Sequence, residues 1–188
     1  MTKPERADAA RNRVKVLDAA RQLFVEKDPR AVTMEDIARA AGVGRGTLYR
    51  RYPDTASIAT ALLDEHERAL QEQMIHGPPP LGPGAPPAER LAAFYAAMTD
   101  LLTDHIGLVL GAETGPARFA TGAYGFWRLH VLALLREAKV PHPEALCDIL
   151  LAPLAPEVFA HQRERGLDTA AIKTALTRLV EGVLGALH

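Results

Sequence analysis

The chain is 188 residues long, 48% hydrophobic and 24% charged, with a net charge of −1, which suits a globular protein with a sizeable core. That length exceeds the roughly 150 residues of one typical domain, so one small domain plus one larger is expected. No apolar run reaches the roughly 18 residues of a membrane span, the N-terminus MTKPERADAARNR has no signal-peptide core, and the single Cys147 forms no internal disulfide; the cytoplasm is therefore the expected compartment. The near-zero charge hides an asymmetry. Residues 1–53 hold 12 Lys+Arg against 7 Asp+Glu, a balance of +5, which leaves 10 against 16, or −6, for residues 54–188. Cations gathered at one end are the footprint expected for a phosphate backbone, although alone they are equally a solvated surface.

In chain order, residues 1–10 read as a frayed basic arm, in which Lys3, Arg6, Arg11 and Arg13 can follow a DNA backbone or minor groove. Ala10 to Glu26 reads as a helix with Leu17, Ala20 and Phe24 inward and Val14 and Leu23 flanking. Lys27-Asp28-Pro29-Arg30 closes it, because a residue before proline is biased out of the α region. The next stretch, TMEDIARAAGVGRGTLYRRY, fits a helix, a tight turn and a second short helix. Thr33 and Asp36 have the spacing of a capping box. Ile37, Ala38 and Ala41 share a face, Gly42 sits where a left-handed residue ends a helix, and Val43 is the apolar plug after it. Leu48, with Val43 and Tyr52, turns inward and leaves Arg45, Thr47, Tyr49 and Arg50 outward. That is the layout of a helix-turn-helix whose second helix enters a major groove.

IARAAGVGRGTLYRRYPD resembles the DNA-binding signature of the TetR family of transcriptional regulators, through Ile37, Ala38, Ala41, Gly42, Val43, Gly46, Thr47, Leu48, Tyr49, Tyr52 and Pro53. The resemblance implies an all-α fold with an N-terminal three-helix helix-turn-helix domain and a C-terminal helical ligand-binding and dimerisation domain. One position departs from it. Thr55 stands where the family commonly opens the following helix with a phosphate-contacting Lys, so that contact does not carry over.

Pro53 and Asp54 open a helix of about twenty residues, which would span about 30 Å. Ile58, Leu62, Leu63, Leu70 and Met74 form its apolar stripe, and Glu65, Glu67 and Glu72 its wet face. In the resemblance this is the connector that swings when effector binds. Residues 77–87 then place Gly or Pro at nine of eleven positions; this is expected to be a weakly ordered or polyproline linker. Helical spacing resumes from Ala88 to His105 and from Ile106 to Glu113, stopping at Thr114-Gly115-Pro116. It continues from Ala117 to Ala138, where Gly122 and Gly125 can admit a close neighbour, and from Glu144 to Arg165, kinked by Pro153 and Pro156. Asp168 caps a last helix with a broad apolar face of Ile172, Ala175, Leu176, Leu179, Val180, Val183 and Leu184. That face is covered within the monomer or, as the resemblance implies, by pairing the last two helices with a second copy.

The expected organisation is therefore a DNA-binding domain over 1–53 and an effector-binding and dimerisation domain over 54–188, with connector 54–76 and linker 77–87. Arg45 can donate to guanine O6 and N7, and Thr47 offers a methyl and a hydroxyl. Tyr49, Arg50 and Tyr52, with Arg51, are placed to position the helix on phosphates. Thr33 combines a cap with a phosphate contact, and Gly44 and Gly46 leave room for backbone approach. Helices from 54 to 138 are expected to enclose a mostly aliphatic effector cavity lined by His66, Leu70, Phe94, Met98, His105, Phe119, Trp127 and His130, each of which is also a plausible plain core residue. The histidines lack metal spacing, so neither metal nor cofactor is expected. The reading that follows is a homodimeric repressor, not an enzyme, that binds a palindromic operator and releases it when a small apolar or amphipathic effector binds. An enzyme using His66, His105 or His130 lacks a nucleophile order, a nucleotide loop or a metal cluster. A module that has lost sequence selectivity is told apart by sequence-independent, salt-sensitive DNA binding.

Overall fold

The computed structural model describes residues 3–27, 31–112, 118–119 and 121–185, without the side chains of 3–7, 111 and 112. The Asp28-Pro29-Arg30 closure of the first helix, the Thr114-Gly115-Pro116 stop, and the Lys3 and Arg6 side chains therefore lie outside the described residues. What is described is helical: α1 (Lys3–Glu26), α2 (Met34–Ala41), α3 (Arg45–Arg51), α4 (Thr55–His76), α5 (Pro87–Ala112), α6 (Gly122–Glu137), α7 (Pro143–Leu151), a 3₁₀ turn (Ala152–Leu154), α8 (Pro156–Glu164) and α9 (Thr169–Leu184). Among the described residues there is no strand, and no helix is long and apolar enough to cross a membrane. The chain divides into two compact units, Met1–Glu65 and His66–His188, with the boundary inside α4.

The first unit is a head in which α1 packs on α2 and α2 on α3. Its core is Val16, Leu17, Ala20, Ile37, Ala38, Leu48 and Tyr52. Two expectations for α1 are corrected. The helix begins at Lys3 rather than near Ala10, because nothing in residues 3–10 breaks it beyond Pro4, which a first helical turn tolerates. Its buried row includes Val16 and Ala19, while Val14 is 56% exposed. The α1 face is also tied down by charge: Arg13 Nη1 lies 2.7 Å from Glu65 Oε1, and Arg21 Nη2 lies 3.5 Å from Glu65 Oε2.

In the second unit α5 is central and packs against α6, α8 and α9. Phe94, Tyr95, Leu91 and Leu102 form its buried face, and the Tyr95 hydroxyl donates to the Leu150 carbonyl at 2.7 Å, anchoring α7. The break expected after His105 is present, with His105 at φ −131, ψ 18 inside an otherwise helical run. Thr99 and Thr103 hydroxyls donate to the carbonyls four residues back, at 2.8 and 2.7 Å, a habit that bends helices.

Other boundaries moved for local reasons. Thr121 accepts from the Tyr124 amide at 3.1 Å and starts α6 at Gly122, later than expected, and Gly122 and Gly125 face open space rather than a close neighbour. The expected Glu144–Arg165 helix is two helices, since Pro153 and Pro156 interrupt it with a 3₁₀ turn. The linker is the larger correction. Residues 77–86 form a closed turn in which the Gly82 amide donates to the Pro78 carbonyl at 2.9 Å. A Cβ on Gly82 would lie 1.9 Å from the Gly77 carbonyl oxygen, so only glycine closes it.

Candidate nucleic-acid interface and effector chamber

The head presents its candidate residues by local chemistry. Thr33 Oγ1 accepts from the Asp36 amide at 3.2 Å, and the Asp36 carboxylate accepts from the Thr33 amide at 3.3 Å and hydroxyl at 2.7 Å. These bonds hold the Asp36 carboxyl below the usual carboxylate range and fix the start of α2. Gly42, at φ 63, ends α2 in the left-handed region, and the Val43 amide reaches back to the Ala38 carbonyl at 3.1 Å. The chain then re-enters a helix at Arg45. Leu48, 2% exposed, seats α3 on the core. Asp54 accepts from the Ser57 amide at 2.7 Å and caps α4.

The outward face of α3 carries Arg45, Gly46, Thr47, Tyr49 and Arg50, all exposed, with Gly44 and Thr33 exposed beside it. Arg45 Nη1 stands 3.7 Å from Glu35 Oε1 of α2. Tyr52 is the exception among the candidates: at 6% exposed it is mostly core and reaches the surface only at the edge of a groove. Of the basic arm, Arg11 pairs with Asp8 and Arg13 with Glu65. An open groove of about 550 Å³, which sequence reasoning missed, runs between α1 and α3 and is lined by Asn12, Arg13, Thr47, Arg50 and Arg51 among others.

Residues 16–62 match the model of the bacterial regulatory proteins, tetR family. Those residues carry a TetR-family DNA-binding domain. It is 32% identical over 124 residues, 66% of its length, to an HTH-type transcriptional regulator of Mycobacterium tuberculosis, and it spans 59% of that relative. Similar folds are FadR of Bacillus subtilis, solved with stearoyl-CoA (TM-score 0.68, 17% identity, covering 93% of this chain and 99% of that one), and NalD, the secondary repressor of a multidrug efflux pump in Pseudomonas aeruginosa (TM-score 0.61, 21% identity, 95% and 98%).

The second unit, beyond the matched residues, scatters the eight expected effector residues. Phe94 is fully buried, with its ring 5.8 Å from Trp127 and 5.5 Å from His130. His66 stacks on His105 at 3.8 Å, and Leu70 and Met98 are buried. Phe119 is corrected: 57% exposed, it stands edge-on to Tyr124 and lines no interior. The apolar void is small, about 40 Å³, and of the eight candidates only Met98 and Trp127 line it. Its remaining wall comes from Leu101, Leu102 and Val109, from Leu151, Leu154 and Pro156 beyond residue 138, and from Tyr124, Glu67 and Arg118.

Glu67 was expected on the wet face of α4, yet it is 6% exposed. The signal was in the sequence: 63, 67, 70 and 74 step by four, three and four along one helical row, and the other three positions are Leu, Leu and Met. His130 is pushed down to about 4, first by burial and then by the nearby Arg90, and its Nε2 is buried without a hydrogen-bond partner. Burial likewise pushes the Cys147 thiol up, which leaves it a packing residue.

Proposed function

We propose that this protein is a ligand-responsive transcriptional regulator: a cytoplasmic homodimeric repressor that reads a palindromic operator with its head and releases it when a small apolar or amphipathic molecule enters residues 54–188. The observation that supports it most is the outward face of α3. Arg45, Thr47, Tyr49 and Arg50 project from a helix seated by buried Leu48 and reached through a capped, glycine-terminated α2. A seven-residue helix makes few base contacts, so two heads on a two-fold axis give the reading its specificity. Exposed Val158 and Leu179, on α8 and α9, and Leu167 between them support pairing through the last two helices.

Release is a population shift: effector must prefer the conformers that do not fit DNA, and it moves the equilibrium only by that difference in affinity. The small size of the chamber agrees with a chain that opens to admit its ligand. The test is selection of binding sites from random duplex DNA, with wild type and Arg45→Ala/Tyr49→Ala in parallel. A palindromic consensus that the variant binds about a hundredfold more weakly is expected, from contacts worth about 1–3 kcal/mol each. No enrichment by a folded dimer, with salt-sensitive binding to any duplex, would replace the repressor by a non-selective module.

A further inference from the structure

Arg118 is a cation on the wall of the second unit's small void. It makes no ion pair among the described residues, and its Nε is buried with no hydrogen-bond partner. Its guanidinium carbon lies 4.8 Å from the Phe119 ring centre and 5.7 Å from that of Tyr124. The arginines Arg128 and Arg136, by contrast, pair with Asp148 and Glu144 on the surface. A cation laid across two aromatic faces is held in orientation, and a buried donor left unmade costs about 1–3 kcal/mol that an incoming acceptor recovers. The planar guanidinium fork matches a carboxylate better than any single-point acceptor.

Arg118 also borders the small void of about 40 Å³, whose walls are otherwise chiefly Met98, Leu102, Val109, Trp127 and Leu154. The other charged wall residue, Glu67, already has an interaction of its own. A void of that size admits a few waters, so a larger occupant enters by parting flexible Met and Leu side chains. One charged head site beside an apolar slot selects molecules with the same two parts.

We propose that Arg118 is the head-group anchor of this chamber, and that the effector class is amphipathic monocarboxylic acids, with the carboxylate on Arg118 and the hydrocarbon body against Trp127. This deepens, and rests on, the effector-binding reading above. Trp127 is the chain's one tryptophan and part of the chamber wall, so its emission reports filling directly. Full-length wild type, Arg118→Gln and Arg118→Lys are titrated with decanoate and with 1-decanol, with circular dichroism confirming that each variant is folded.

Wild type is expected to bind decanoate about tenfold or more tightly than decanol. Arg118→Gln erases that preference and Arg118→Lys keeps part of it. Equal binding of acid and alcohol by wild type, or a preference that survives Arg118→Gln, overturns the head-group assignment while the effector reading stands. Silence of Trp127 towards both ligands overturns the assignment and counts against the chamber as the effector site. The wild-type comparison decides even if both variants unfold.

Discussion

In the head, the proposed contact residues Arg45, Thr47, Tyr49 and Arg50 stand on the outside of one short helix whose neighbours in sequence are its neighbours in space. In the second unit, Glu67, Met98, Arg118, Trp127 and Leu154 meet round one void from five separate places in the chain. A surface that reads a long, regular partner can be written in twenty consecutive residues, because caps and a turn suffice to aim it. A chamber for a small molecule needs walls on every side, and no single helix can supply them. The charge division follows the same line: cations collect in residues 1–53, where the proposed partner is a phosphate backbone, while among the described residues Arg118 is the arginine that borders the void of the second unit.

The contrast breaks if disturbing the chamber disturbs what the head reads. Phe94→Ala should remove about 3–5 kcal/mol from the second unit by emptying a fully buried site, read as a lower urea midpoint in Trp127 emission, while the DNA consensus selected by the folded variant stays that of wild type. A changed consensus would show that the two regions do not divide the work.

A second test sharpens the contrast through pH. All seven histidines lie at or beyond position 66, so histidine-linked instability belongs to the second unit. His130 stays neutral in the fold, pushed down to about 4 by burial and Arg90, whereas an unfolded histidine titrates near 6.5. Its contribution is therefore whole above about pH 6.5 and is lost as pH falls toward 4, by up to about 3 kcal/mol. Urea midpoints followed by Trp127 from pH 7 to 4.5 should fall more steeply for wild type than for His130→Leu.

The smallest effect sits in the head. Thr33→Ala opens the capping box and should cost about 1 kcal/mol, while Thr33→Ser, which keeps the hydroxyl, should cost little. Thermal unfolding of both variants checks this, and the Trp127 transition should not move with either.

What was legible in the sequence follows the same divide. Thr33 as helix cap, Gly42 as left-handed terminator and Leu48 as inward seat depend on positions at most five residues away, and the fold displays each of them. Phe119 and Glu67 were misplaced because their surroundings are set by elements far along the chain. Tyr52 was expected both inward and on phosphate, and packing decided for the core. The 77–87 segment shows a subtler limit. Its glycines and prolines rule out a helix, but the turn closes only because Gly82 lacks a side chain next to the Gly77 carbonyl, a steric fact that composition does not carry. The division at His105 agrees with the kink in α5, and the threonine hydroxyls that back-bond before it supply a cause.

That break divides the 26 residues of α5 into two rods joined at a pin. A straight helix spreads an applied torque along its whole ladder of hydrogen bonds. A helix interrupted at one residue yields at that residue and transmits little past it. The rod before His105 holds Phe94, Tyr95 and Met98, and the rod after it holds Val109 of the chamber wall. Movement of the Val109 side of that wall can therefore be taken up as rotation about a single backbone joint, while the Met98, Leu101 and Leu102 side, on the packed rod behind it, keeps its place. Deuterium uptake by the amides just beyond His105, faster than on either flank, would be its mechanical signature.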